Sequence, residues 1–434
     1  MTPAARVQAA IELLEAMTPA QPADQIAGRY FRERRYIGSK DRRAISDIFF
    51  GVLRHRARLT WWLQRVGSES ETARSRVLAW TALGPEGEKA SGLFDGGRYG
   101  PAPLSDGERA TLSALCGQGI HHPEQAPWVA GEVPVWLYPA LHEDLGPDLD
   151  AELAALTREA PLDLRVNGLR CDRERARQAL AEEGLTAAPT PYSPLGLRLQ
   201  GRSVLPATRA FRDGWVEVQD EASQIAALLT DARPDMAVAD FCAGAGGKTL
   251  ALAASMANRG RLVALDRDAR RLDRARPRLA RSGVTCVESH GLAGPDDPWL
   301  EEAAGRFDRV LVDAPCSGSG AWRRQPDARW RLASGDLEDL VDLQSRLLVQ
   351  AAGLVKPGGR LVYATCSLLA CENRDRVSRF LEATPDFAQV PVEKTWVAPL
   401  DGPCPSDRPD LQLMPARHGT DGFYVAILER RGGR

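Results

Sequence analysis

Two cysteines close two segments that read as strands. FDRVLVDAPCSGSG (Phe307–Gly320) carries Cys316, and GGRLVYATCS (Gly358–Ser367) carries Cys366. Upstream, ADFCAGAGGKT (Ala239–Thr249) sets a glycine-rich turn between a strand and a helix. A turn able to cradle a nucleotide-type cofactor, beside two thiols at one sheet edge, points to covalent catalysis next to a bound cofactor. A thiolate can add to a ring and so activate a carbon with no nucleophilicity of its own, such as C5 of a pyrimidine.

The turn residues Cys242, Ala243, Gly244, Ala245, Gly246, Gly247 and Lys248 are the candidate cofactor cradle. Glycines let the backbone approach a ligand closely, and the helix that follows offers unpaired N–H groups. The turn is not a P-loop, because Gly244, Gly246 and Gly247 lie too close together. The next strand ends at Asp266, with Asp268 just behind. An acid there suits a ribose diol, at the ~20-residue spacing of dinucleotide sites; the alternative is a helix cap. After the third strand stands His290, which offers either a contact to an adenine edge or a purely structural ring. The fourth strand ends Asp313-Ala314-Pro315-Cys316. Methyltransferases that modify amino groups place an aromatic residue where this chain has Cys316.

The thiols need a scaffold that brings strand ends together. From Trp215 onward, apolar strands alternate with helices: 236–241, 261–266, 284–289, 309–314 and 360–366 read as strands, and GFYVAILER supplies a last one. Helices are predicted over 249–257, 269–282, 335–355 and 372–383. This alternation predicts an α/β fold with a doubly wound parallel sheet, whose ligands lie beyond the carboxyl ends of the strands. The fourth and fifth strands are neighbours in such sheets, so Cys316 and Cys366 should face one cavity.

Two further regions precede that sheet. Residues 1–146 read as all-helical, with apolar residues at helical spacing over 5–17 and 41–66. Residues 67–134 carry too little patterning to assign elements. Residues 147–214 read as a small α/β module with arginines 165, 170 and 198 on its exposed faces. The expected domains are therefore 1–146, 147–214 and 215–434.

Net charge is −2, so any nucleic-acid binding must come from local arginine patches. RYFRERRYIGSKDRR (Arg29–Arg43) is one, with Tyr30, Phe31 and Tyr36 interleaved for stacking. Lysine is scarce, five in 434 residues, which singles out Lys248 inside the turn. The eight cysteines form no CxxC pair, so no metal is expected. The N-terminus reads as an amphipathic helix and not a signal peptide, and no apolar run approaches the ~20 residues of a membrane span. Free thiols then fit a reducing cytoplasm.

DAPCSGSG, YATCS and FCAGAGGKT resemble the Sun/RsmB family of RNA 5-methylcytosine methyltransferases, which use S-adenosylmethionine. The resemblance spans the chain. RRYIGSKDRR and VLRHRARLTWWL look like the NusB-like helical domain of bacterial members, and PLDLRVN like the small domain before the catalytic one. GWVEVQDEAS and HGTDGFYVA resemble the start and the last strand of the catalytic domain. The resemblance implies Cys366 as nucleophile, Cys316 as the residue assisting release, and Asp313 as a hydrogen-bonding partner of the cytosine. It further implies Lys248 near the reacting base and Asp266 on the cofactor ribose. RNA is the implied partner, small-subunit ribosomal RNA before transfer RNA, for a cytoplasmic monomer. The competing reading is a non-catalytic RNA-binding protein. Three departures stand out: Ala245 replaces a frequent Pro, His290 stands where the family often has Asp, and CENRDRV replaces a more usual Pro-Glu-Asn.

Overall fold

The computed structural model describes residues 1–68, 70–201, 204–400 and 402–432. The chain divides into two compact units, Met1–Glu159 with Trp322–Ser334, and Ala160–Ala321 with Gly335–Arg434. Each is described by itself.

The first unit is helical. Its longer helices are Pro3–Glu15, Ala23–Glu33, Ser39–Arg54, Arg56–Arg65, Ala73–Ala82 and Asp106–Leu115. Thr2 caps the first, and a reciprocal Ser105–Glu108 capping box starts the last. Val7, Ile11, Val52, Leu59, Trp62, Val77 and Leu78 form one core, and Leu13, Ile26, Ile45 and Phe49 another. The helix expected over 41–66 is broken at His55, whose ring stacks on Trp80 at 5.1 Å. The unassigned stretch 67–134 contains real helices. Ala73–Ala82 escaped detection because its apolar and small residues are not confined to one stripe, and Ser75 is buried with them.

Residues 322–334 leave the catalytic unit and return to it. Their side chains serve the helical core: Trp322 and Arg329 are fully buried. Arg329 donates to the carbonyls of Glu132 (2.9 Å) and Leu156 (3.0 Å). The backbone N–H of Ala23 donates to Asp327 at 3.1 Å, and Trp330 donates to the Leu53 carbonyl at 3.3 Å.

The second unit holds two sheets. The smaller is antiparallel, with β1 Leu162–Val166, β2 Ala187–Pro189, β3 Gly196–Leu199 and β4 Val216–Val218 in the order β2-β3-β1-β4. Leu164, Val166, Leu197, Ala176 and Leu180 fill its core. Two of its arginines are not on solvated faces. Arg165 is buried, and Arg198 grips Asp163 with two bonds of 2.7 and 2.8 Å while also donating to the Gly419 carbonyl. Strand alternation alone does not reveal that both faces of this sheet are covered. Arg170 remains exposed.

The larger sheet comprises β5 Ala237–Asp240, β6 Arg261–Asp266, β7 Val287–Gly291, β8 Phe307–Asp313, β9 Val355–Thr365, β10 Phe387–Val390, β11 Leu411–Leu413 and β12 Phe423–Arg430. Its order is β10-β12-β9-β8-β5-β6-β7, with β11 beside β12. Strands β5 to β9 pair in parallel, and β12 runs antiparallel to β9. Alternate residues feed two cores: Val238, Leu262, Leu311 and Val362 on one face, Ala239, Val263, Val310, Val312 and Tyr363 on the other. Burial on both faces is why these strands read as continuous apolar runs. The third strand starts later than predicted, at Val287. Gly283 ends the preceding helix at φ +73°, and the Val284 N–H bonds back to the Leu279 carbonyl.

Among the described residues, no helix is long and apolar enough to cross a membrane.

Candidate active site

The chain order reverses its direction across the sheet at β5, which has β6 on one side and β8 on the other. A crevice forms at such a switch point, outside the carboxyl ends of the strands. Asp240, Asp266, Asp313 and Cys366 all stand at those ends.

The cofactor turn needs its glycines. Gly244 and Gly246 adopt φ of +56° and +79°, and a Cβ on Gly246 would lie 2.8 Å from that of Ala275. The turn opens the helix Gly247–Ser255. Asp266 holds the turn from below, accepting the N–H of Gly244 and of Asp268, each at 2.8 Å, with Arg271 3.4 Å away. A cavity of ≈ 180 Å³ sits on the turn, lined by Cys242, Ala243, Gly244, Ala245, Gly247, Lys248 and Asp313. Gln219, Ser223, Asp240 and Arg271 complete its wall. The sequence reading missed these four. Gln219 and Ser223 lie in GWVEVQDEAS, which marked the domain start rather than the site. Two larger cavities, ≈ 530 and ≈ 930 Å³, are lined entirely by residues of the helical unit.

Asp240 is fully buried, and burial pushes its carboxyl up to about 7. One oxygen accepts from Thr249 at 2.6 Å, and the other has no protein partner. A buried, unsatisfied acceptor in a glycine-lined cavity fits a ligand that brings a donor or a cation. The residues present therefore suit a nucleoside sulfonium cofactor with an amino-acid tail. Arg165 braces the turn by donating to the Gly247 carbonyl at 2.7 Å and to Gln219; burial lowers its pKa to about 10. Cys242 is half-buried in the same walls, and desolvation raises its thiol well above the ordinary range.

Lys248 reaches from the turn to Asp313 at the end of β8, at 2.6 Å. Its ammonium also lies 4.9 Å from the centre of the Phe423 ring. Lys248 is buried, whereas Asp313 stays one-third exposed and faces the cavity.

The two thiols meet. The Sγ atoms of Cys316 and Cys366 are 3.4 Å apart. The β8–β9 ladder brings them together: Asp313 pairs with Ala364, and the Ala314 N–H continues the ladder to the Ala364 carbonyl at 2.9 Å. Pro315, with no N–H, ends the pairing. The Gly320 N–H then donates to the Cys366 carbonyl at 2.9 Å. The Cys316 thiol is held well above the ordinary range by its hydrogen bond to Cys366, then by burial, the Cys366 charge and Glu372. Within the pair, Cys316 is thus the thiol held protonated.

His290 lies on β7 but does not line the cavity. Its ring stacks on Trp299 at 5.2 Å and sits 3.5 Å from Asp297. Among the described residues, no group of three or more His, Cys, Asp or Glu side chains could hold a metal ion.

A doubly wound sheet carrying its cofactor turn at this switch point is the S-adenosylmethionine-dependent methyltransferase fold, and S-adenosylmethionine is the cofactor. Residues 227–429 match the family described as 16S rRNA methyltransferase RsmB/F, and residues 133–204 match the ferredoxin-like domain of the RsmF/B-like methyltransferases. The chain is 30% identical over 417 residues to ribosomal RNA small subunit methyltransferase B of Cronobacter sakazakii, covering 91% of this chain and 92% of that protein. It is 35% identical over 299 residues to a probable ribosomal RNA small subunit methyltransferase B of a Synechocystis strain, covering 68% of this chain and 66% of that one. Among solved structures, a methyltransferase homologue from Pyrococcus horikoshii is 27% identical at a TM-score of 0.60, covering 70% of this chain and all of that one. Another crystal structure superposes at a TM-score of 0.78, with 27% identity and 99% of each chain covered. The chain belongs to the RsmB/F family and is an S-adenosylmethionine-dependent RNA (cytosine-5) methyltransferase.

Proposed function

We propose that the chain methylates C5 of a cytosine in small-subunit ribosomal RNA through a covalent bond between Cys366 and C6 of the base. The observation that carries this reading is the 3.4 Å contact between the Cys316 and Cys366 sulfurs beside the cofactor cavity. Transfer to an amino nitrogen would need no thiol at all. The names of the relatives support the ribosomal substrate.

The thiolate of Cys366 bonds to C6 as the C5=C6 electron pair shifts toward N3. Asp313, protonated from solvent as the base enters and held in place by Lys248, gives its proton to N3 as that charge develops and takes it back on elimination, an effect worth about 2–4 kcal/mol at comparable sites. The Cys242–Lys248 turn would hold the cofactor, with Asp266 toward its ribose, and the bound cofactor would supply an electrophilic methyl group to the activated C5. Cys366 is now a neutral thioether, so its charge no longer holds up the Cys316 thiol. Cys316 loses its proton to solvent and takes the proton from C5. That electron pair re-forms C5=C6, the S–C6 bond breaks, and Cys366 leaves as a thiolate. His290 is given no role in this scheme: its ring stacks on Trp299.

The base must leave its stack to reach the thiols, so the target lies in a loop or is flipped. The helical unit, NusB-like in sequence, and the 147–214 module bind the RNA backbone. Tyr36 is highly exposed beside Arg34 and Arg35, where a base can stack. The enzyme acts as a cytoplasmic monomer without a metal.

Trapping tests the chemistry. RNA carrying 5-fluorocytosine should form a denaturant-resistant complex, because fluorine cannot leave C5 as a proton does. Absence of a complex with methyl transfer intact rejects the covalent route. Bisulfite sequencing of RNA from a deletion strain identifies the substrate: loss of a mark in transfer RNA alone rejects the ribosomal assignment.

A further inference from the structure

We infer that Glu372 is a positioning residue, one that locks the two thiol-bearing turns to each other and whose buried charge keeps Cys316 and Cys366 in different roles. This rests on the reading of those cysteines as the reacting pair.

Glu372 is fully buried in the turn after β9. One oxygen accepts the backbone N–H of Ser317 at 2.8 Å and Nε2 of Gln344 at 3.0 Å. The other accepts the hydroxyls of Ser317 and Ser367. Ser317 follows Cys316 and Ser367 follows Cys366, so one carboxylate ties the residue after each thiol. Gln344 adds a third tie, donating to the carbonyl of Pro315, the residue before Cys316, at 2.9 Å. Ser319 completes the knot through Ser367 (3.1 Å) and the Leu368 N–H (2.8 Å). One oxygen takes two N–H donors that cannot accept and the other two hydroxyls that can turn either way, so the geometry fits a carboxylate, whose charge the variants below test.

This arrangement is more than packing needs. A buried charge is costly, and a well-packed apolar residue could fill the same space at least as well. The retained charge acts on chemistry next to it: it is among the causes that hold the Cys316 thiol protonated. A thiol held protonated is not the nucleophile, which leaves attack to Cys366. The carboxylate therefore contributes geometry through its hydrogen bonds and asymmetry through its charge.

Two variants separate these contributions. Glu372→Gln keeps the shape: its oxygen still serves the two N–H donors, and its amide faces hydroxyls that can turn to accept. Glu372→Asp keeps the charge at shorter reach. The readouts are circular dichroism for the fold, cofactor affinity, kcat and KM for RNA, and alkylation of Cys316 by iodoacetamide against pH. Alkylation is followed by peptide mass spectrometry in a Cys366→Ser background, so it needs no turnover. In Glu372→Gln the Cys316 alkylation profile should move to lower pH. In the otherwise native chain the same change should lower kcat by about tenfold or more, with cofactor affinity and RNA KM unchanged, as expected for displaced reacting groups. Glu372→Asp should recover part of kcat. An unchanged alkylation profile overturns the charge role, and an unchanged kcat in a folded Glu372→Gln protein overturns the positioning role. Failure of the covalent reading would instead appear as full methyl transfer by Cys366→Ala, which the alkylation profile does not touch.

Discussion

Lys248 and Asp313 form an ion pair of 2.6 Å that joins the cofactor turn to the strand end carrying Cys316. In the proposed reaction this pair would link the two halves, with Lys248 on the methyl-donor side and Asp313 on the base side. Asp313→Asn keeps the shape but removes the charge opposite a buried ammonium. Single-turnover methyl transfer at saturating RNA should fall about a hundredfold, the scale for losing one charge-stabilising hydrogen bond in a reacting site. An unchanged rate would separate Asp313 from the chemistry.

Asp266 is tied into the cofactor turn and is the residue proposed to hold the ribose. Its oxygens hold the Gly244 and Asp268 N–H groups. In Asp266→Asn the amide cannot accept both bonds, so the turn loosens and the ribose loses its charged partner. Cofactor affinity by calorimetry should drop at least about tenfold, or about 1.4 kcal/mol. Equal affinity would remove Asp266 from the site.

Burial raises Asp240 from an ordinary value of 3.8 to about 7. Between those values the folded chain holds a proton that the unfolded chain has released. The stability from this group is complete below the lower value and is lost as pH rises through the upper one. Asp240→Asn cannot titrate. Its thermal midpoint relative to the parent should therefore climb between about pH 4 and pH 8. A constant offset across that range would show that Asp240 does not titrate there.

The 322–334 segment makes the helical unit a partner in folding as well as the proposed RNA-binding unit. A chain starting at Ala160 keeps the β1–β4 pairing but strips the partners from Trp322 and Arg329, both fully buried. It should unfold at lower temperature than the full chain and bind RNA less tightly. Its binding should also depend less steeply on salt, because phosphate contacts set that slope. Equal RNA affinity and salt slope would place the RNA contacts elsewhere.

Much of this was legible in the residues. The strand order follows from helices alternating with apolar runs, and the cofactor turn and thiols follow from residue type at strand ends. What stayed hidden depends on tertiary partners. Arg165 alternates as a solvated strand residue would, yet it is buried against the cofactor turn. CENRDRV looks like a polar helix start, and nothing local shows that Glu372 meets Ser317, 55 residues away. The return of 322–334 to the helical unit is equally invisible, since Trp and Arg read alike in a loop and in a core. His290 shows the converse: a residue placed by analogy with a ligand position, whose ring stacks on Trp299 and does not line the cavity.

The central claim is that Cys366 attacks and Cys316 releases. It is tested by a denaturing gel of each alanine variant incubated with unmodified RNA and cofactor. Cys316→Ala should still attack and transfer the methyl group but stall at elimination, so a denaturant-resistant protein–RNA band should accumulate. Cys366→Ala should give neither band nor methylated RNA. A band from Cys366→Ala but not from Cys316→Ala would reverse the roles. No band from either, with methylation intact in both, would contradict covalent catalysis by this chain.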